Sequence, residues 1–239
     1  MRLIWIMINV VFWTITLGGT GLVVSLIDWK GRVFGHIARI WSKVILCISG
    51  VPYVVKGLEN LDINQQYFLA ANHESAFDIP LAFASIPFRM VAISKKELRK
   101  IPFFGWAMIG AHTIFIDRGN REKAVSSLKK AVDSLRKNPR SIMLYPEGTR
   151  SLDGKVHQFK KGGIVLAIET GMPIVPVALC GTSEVVTKGS WKVTPRNIEM
   201  RIGTPIETSS LTYEDRNWLA EKLREDVIQM KSEWMSSEK

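Results

Sequence analysis

Tyr67-Phe68-Leu69-Ala70-Ala71-Asn72-His73-Glu74-Ser75-Ala76-Phe77-Asp78 is the stretch on which the reading of this chain turns. Tyr67 to Ala71 is a short apolar run of the kind that forms a buried strand. His73 and Asp78 therefore fall where a strand gives way to a turn or a helix. Five positions of separation let the carboxylate fold back onto the imidazole. A carboxylate at Nδ1 fixes the tautomer, leaves Nε2 as a base and stabilises the imidazolium formed when that base takes a proton. Ser75 lacks the flanking glycines of a nucleophile elbow, so the hydroxyl to be activated belongs to a substrate. The bland alternative makes His73 a helix cap and Asp78 a solvated first-turn acid.

Working outward, further apolar runs each end in polar residues. Ile114-Phe115-Ile116 leads into Asp117-Arg118, and Ile142-Met143-Leu144 leads into Tyr145-Pro146-Glu147-Gly148-Thr149-Arg150. Other strand candidates are Tyr53 to Lys56, Met90 to Ser94 and Ile174 to Leu179, with helical periodicity over Arg121 to Lys137, Phe159 to Glu169 and Asp215 to Trp234. This alternation predicts an α/β fold whose central sheet is mostly parallel and flanked by helices on both faces. Ligands in such sheets bind at the carboxyl ends of strands. His73, Arg118 and the Glu147–Arg150 turn all follow strands directly.

Length and charge set the outer bounds. A chain of 239 residues without a Pro/Gly/Ser-rich linker suits one sizeable core. Cys47 and Cys180 lack metal-ligand or CxxC spacing, no zinc or P-loop pattern is present, and no cofactor is expected. Residues 89 to 161 carry 17 Lys/Arg against 6 Asp/Glu, a local net of +11 beside +10 for the whole chain. Such a basic middle favours phosphate-bearing partners or an anionic lipid surface, and no motif supports nucleic acid.

The N-terminus supplies a membrane segment. Leu3 to Ile27 is a run of 25 residues without a charge, longer than the roughly 20 that cross a hydrocarbon core. Gly18-Gly19-Thr20-Gly21 interrupts it and allows a bent or re-entrant helix as well as a spanning one. Arg32, His36, Arg39 and Lys43 then recur at helical steps among apolar residues, which reads as a basic amphipathic helix in a headgroup region. Residues 1–50 are expected to anchor and residues 51–239 to catalyse, on the cytoplasmic face of the membrane.

The blocks Asn-His-x4-Asp (72–78), Phe-Ile-Asp-Arg (115–118), Pro-Glu-Gly-Thr-Arg (146–150) and Val-Pro-Val (175–177), in this order, resemble the lysophosphatidic acid acyltransferase (1-acylglycerol-3-phosphate acyltransferase) family. The resemblance covers roughly residues 50 to 205. It implies transfer of an acyl group from a thioester, carried on acyl carrier protein or coenzyme A, to the sn-2 hydroxyl of lysophosphatidic acid, giving phosphatidic acid. It makes His73 and Asp78 the catalytic pair. Arg118 and Arg150, with Glu147, Gly148 and Thr149 around the second arginine, become the phosphate-binding group. Lys95 matches a family lysine thought to help, with Lys96 one residue away as an alternative. Other acceptors, glycerol-3-phosphate or a different lysophospholipid, and a non-catalytic lipid-binding protein remain as competing readings.

Overall fold

The computed structural model describes residues 2–28, 30–117, 121–187, 189 and 192–237. Among these, the seven strands β1 (Tyr53–Lys56), β2 (Phe68–Ala71), β3 (Met90–Lys95), β4 (Ile114–Ile116), β5 (Ser141–Leu144), β6 (Ile174–Cys180) and β7 (Ile198–Ile202) form one sheet in the order β1-β7-β6-β2-β5-β3-β4. From β6 to β4 every neighbouring pair is parallel, while β7 runs antiparallel to β6 and carries β1 parallel to itself. All residues of β2, β5 and β6 are buried, as expected for strands covered on both faces.

Alternate residues of each strand feed two cores. Phe68, Ala70, Ile142 and Leu144 pack with Leu135 of helix α5 (Arg121–Lys137), Ile164 of α6 (Gly162–Thr170) and Leu223 of α8 (Arg216–Ser237). Leu69, Ala71, Met143 and Tyr145 pack on the other side with Leu46 of α2 (Arg32–Ser49) and Leu81 of α3 (Asp78–Ser85). The mostly parallel sheet with helices on both faces is thus observed. The expected element boundaries shift for local reasons. β2 begins one residue late because the Tyr67 amide donates to the Ser141 hydroxyl, 3.1 Å away. Helix α6 begins after Lys160, whose amide donates to the Pro146 carbonyl at 2.8 Å. Strand β7 and the short helices α3, α4 (Phe104–Gly110) and α7 (Thr182–Val185) add to the expected elements.

Helix α1 (Arg2–Ser25) is continuous through its glycines and about 36 Å long at 1.5 Å per residue. It contains one stretch, Ile4–Ser25, long and apolar enough to cross a membrane by length and composition. The glycines serve packing. A Cβ on Gly21 would sit 2.5 Å from the Phe34 ring, and one on Gly110 would sit 2.6 Å from its other edge. Phe34 of α2 is therefore clasped between α1 and α4 and is only 3% exposed.

The basic stripe on α2 divides. Arg32, His36 and Lys43 are exposed, whereas Arg39 turns inward and donates from Nε to the Ile86 carbonyl and from Nη2 to the Phe88 carbonyl, at 3.0 and 3.2 Å. Those oxygens lie just past the C-terminus of α3, where unsatisfied carbonyls attract a cation. Arg39 thus joins α2 to the segment between α3 and β3.

Candidate active site

The loop between β2 and α3 is held by its own side chains. Asn72 continues the β2–β6 ladder without being part of it: its Nδ2 donates to the Leu179 carbonyl at 2.9 Å and its Oδ1 accepts from the Leu179 amide at 2.7 Å. Asp78 opens α3, with Pro80 in the first turn, where a missing N–H costs nothing. Its fully buried carboxylate closes the loop. Oδ2 accepts from His73 Nδ1 at 2.7 Å and from the amides of Glu74 and Ser75 at 2.7 and 2.9 Å, while Oδ1 accepts from the Thr182 hydroxyl at 2.5 Å. An ionised carboxylate only accepts, so Nδ1 carries the proton and Nε2 keeps its lone pair. The His73 side chain is 19% exposed, so the ring is not sealed inside the core.

The turn after β5 is fastened to the same loop. Glu147 is 4% exposed, and its two carboxylate oxygens accept from the amides of His73 and His157 at 2.8 and 3.0 Å. The Ser151 amide, next in chain to Arg150, donates to the His73 carbonyl at 2.8 Å. Gly148 takes φ 75, the left-handed region that a side chain disfavours. A Cβ there would also stand 2.9 Å from Lys160 Nζ, so glycine leaves room for an ammonium beside the turn. Since β2, β5, β3 and β4 point the same way, their carboxyl ends place His73, Glu147–Arg150 and Lys95 on one rim.

A family model described as "Acyltransferase" matches residues 53–180, more than half of the chain, from the start of β1 to the end of β6. The 1-acyl-sn-glycerol-3-phosphate acyltransferase of Limnanthes douglasii is 33% identical over 215 residues, which cover 87% of this chain and 72% of that one. The Saccharomyces cerevisiae protein of the same name is 35% identical over 193 residues, 80% of this chain but 63% of its own length. In structure, the chain is similar to the 1-acyl-sn-glycerophosphate acyltransferase PlsC of Thermotoga maritima, with a TM-score of 0.77 and 28% identity over 96% of this chain and 98% of that one. The chain belongs to the 1-acyl-sn-glycerol-3-phosphate acyltransferase family.

In this acyltransferase the expected phosphate-binding residues occupy different settings. Arg150 is half-buried at the end of the Glu147 turn, and Thr149 is exposed beside it. Arg118 lies outside the described residues. Asp117, directly before it, holds the Lys96 ammonium at 2.5 Å, and this bond raises the Lys96 pKa above its ordinary value. Lys95 is exposed at the end of β3. Both Glu147 carboxyl oxygens take backbone amides, so its side chain shapes the turn. Burial pushes its pKa up, against the pull of the His157 and His73 amides. Among the described residues no three His, Cys, Asp or Glu side chains converge as a metal ion would require.

Several parts of the candidate site carry no mark in the local sequence. Thr182, 104 residues after Asp78, follows β6 and reaches back to the buried carboxylate. The Tyr145 ring packs on the His73 ring with centroids 4.3 Å apart and planes 31° off parallel. Its hydroxyl is buried without a hydrogen-bond partner, and burial, helped by the Asp78 charge, holds its pKa well above 10.0. Behind the loop, Glu74 accepts from Asn72 at 3.0 Å and forms a buried ion pair with Lys231 of α8, whose ammonium also donates to the Gly154 carbonyl. Only the Asn in Asn-His hinted at any of this.

A cavity of about 230 Å³ lies on the α3 side of the acyltransferase, between α1, α2, α4 and β3. Leu17, Trp41, Phe83, Phe104 and Met108 contribute to its walls, as does Ile79, the residue after Asp78. Its lining is almost wholly apolar.

Proposed function

We propose that the protein esterifies the free sn-2 hydroxyl of 1-acylglycerol-3-phosphate with an acyl group from a thioester, giving phosphatidic acid. The observation that carries this reading is the His73 Nδ1–Asp78 contact, which leaves Nε2 as a base at the mouth of a strand-end site. The hydroxyl proton passes to Nε2 as the oxygen attacks the thioester carbonyl. The tetrahedral intermediate then collapses with cleavage of the C–S bond, and the imidazolium returns the proton to the leaving thiolate. Asp78 stabilises the imidazolium in between, and general acid–base help of this type is worth about 10²- to 10⁴-fold. Arg150 and Arg118, with Lys95, Thr149 and the Gly148 backbone, bind the acceptor phosphate, where a planar guanidinium can engage two oxygens at once. Glu147 keeps that turn against the His73 loop. The apolar cavity beside Asp78 receives an acyl chain.

Residues 1–50 anchor the protein to a membrane and residues 51–239 carry the chemistry on its cytoplasmic face. The apolar length of α1 and its exposed Ile4, Trp5, Ile8, Val11 and Phe12 support the anchor. The donor is an acyl thioester of acyl carrier protein or coenzyme A, and no cofactor takes part.

The test is an assay of the detergent-purified chain with lysophosphatidic acid, glycerol-3-phosphate and other lysophospholipids, each with acyl-CoA and acyl-carrier-protein donors. Lysophosphatidic acid is expected to be the preferred acceptor. His73→Ala should remove transfer while leaving the fold intact, and Asp78→Asn should remove most of it. Arg150→Lys should raise the acceptor KM and leave the donor KM nearly unchanged. A His73→Ala protein retaining more than about a tenth of wild-type turnover would contradict the general-base role.

A further inference from the structure

At the other end of the same strands lies a second cationic site, remote from His73. His112 precedes β4, Arg140 precedes β5 and Arg89 precedes β3, so all three stand at the amino ends of strands whose carboxyl ends form the candidate active site. Lys130 and Lys137 project from α5, and Ser134 falls between them at helical spacing. With His112 and Lys30 of the α1–α2 connection they line an open cleft. A groove of about 290 Å³ continues from it along the unpaired outer edge of β4, with Arg140, Lys130 and Ile109 in its walls.

The buried guanidiniums make this more than a patch of surface lysines. Arg140 is 2% exposed and is among the largest fully buried side chains of the protein. Its Nη atoms donate to the carbonyls of Asn138, Ser134 and His112 and to the Ser134 hydroxyl, but its Nε has no partner. Arg89 donates from Nη1 to the Asn138 side chain, and its buried Nε and Nη2 have no partner. Burial and the neighbouring Arg89 charge bring the Arg140 pKa down to about 10. Among the described residues no carboxylate lies within ion-pair distance of either guanidinium; Asp28 acts on Arg89 from farther off, and Asp133 is the one acid lining the cleft. Buried charges are ordinarily paired, because an uncompensated one is costly. Two of them beside a cleft lined by further cations leave the place of a counter-anion open.

We propose that this cleft binds the phosphate group of an anionic phospholipid. Lipid is favoured over free phosphate by what borders the site. Leu26, Ile27 and Ile109 are 76, 83 and 41% exposed, and Leu26 and Ile109 share a pocket with His112. A headgroup among Lys30, Lys130 and Lys137 would leave its chains along this apolar edge, next to the C-terminal end of α1. The site stands independently of the reaction assigned to His73.

The test is thermal unfolding of the full chain in detergent with dihexanoyl-phosphatidylglycerol, dihexanoyl-phosphatidylcholine or inorganic phosphate added. Phosphatidylglycerol is expected to raise Tm by several degrees, as a ligand of the folded state must, and the zwitterionic lipid is not. Lys130→Gln with Lys137→Gln, both exposed and outside the core, should remove the rise, while Arg150→Gln on the opposite rim should keep it. An equal rise with inorganic phosphate, again lost in the double variant, would support the site with free phosphate as its ligand. The proposal is overturned if no rise occurs, if phosphatidylcholine matches phosphatidylglycerol, if the rise survives in the double variant, or if it vanishes in Arg150→Gln.

Discussion

The Thr182 hydroxyl donates to Asp78 Oδ1 across 2.5 Å, and so ties the end of β6 to the carboxylate that orients His73. Asp78 has no exposed surface, so each of its donors matters. Thr182→Val should leave one carboxylate oxygen unsatisfied, cost about 1–3 kcal/mol of stability and lower kcat. Thr182→Ser, which keeps the hydroxyl, should restore both. Thermal unfolding and steady-state kinetics on the two variants check this; a loss in Thr182→Ser with none in Thr182→Val would show that only the threonine methyl counts.

Tyr145 separates ring from hydroxyl. The ring packs on His73, whereas the hydroxyl is buried without a partner. Tyr145→Phe should therefore hold kcat and match or raise Tm, since it removes an unsatisfied polar group. Tyr145→Leu should lower kcat roughly two- to tenfold, the kinetic equivalent of the 0.5–1.5 kcal/mol of an aromatic pair. A loss of activity in the phenylalanine variant would assign a role to the hydroxyl instead.

The Glu74–Lys231 pair joins α8 to the loop that carries His73, with side chains only 2 and 9% exposed. Removing one partner leaves a buried charge alone, so Lys231→Met is expected to cost about 3–5 kcal/mol. Adding Glu74→Gln to it should recover much of that loss. A double-mutant cycle read by denaturant unfolding measures the coupling, and additive effects would mean that the pair contributes no specific interaction.

Asp153 gives a pH signature. The Ser151 hydroxyl, then the Lys155 amide, holds its pKa down at about 2, below the ordinary 3.8. A carboxylate with a depressed folded-state pKa contributes stability above its unfolded value and loses it as pH falls through the folded one. The wild type should therefore lose stability more steeply than Asp153→Asn between about pH 4 and pH 2. Unfolding midpoints of both proteins across that range provide the comparison. The same loop delivers the His157 amide to Glu147, so the variant also probes how firmly the turn is held.

The sequence by itself determined the α/β class, the parallel strands and the helix over Arg121–Lys137. Strands buried on both faces are apolar throughout, and an amphipathic helix repeats every 3.6 residues, so both leave their period in the chain. It also put His73 and Asp78 together, because a separation of five positions is short enough for local geometry to dictate the contact. The N-terminal apolar helix was legible for the same reason, as a property of a continuous segment. Tertiary structure decided the rest. Nothing near Arg39 says that it serves the carbonyls past α3 instead of a lipid surface, because periodicity places it on a face without saying what that face meets. Thr182, Tyr145 and Lys231 become site residues only when the sheet order sets β6 and β5 beside β2 and lays α8 behind them. Strand β7 lies outside the elements that the sequence predicts, and its antiparallel direction follows from its register with β6. Hydrogen bonds between residues about a hundred positions apart depend on which strands become neighbours, and that choice belongs to the packed core as a whole.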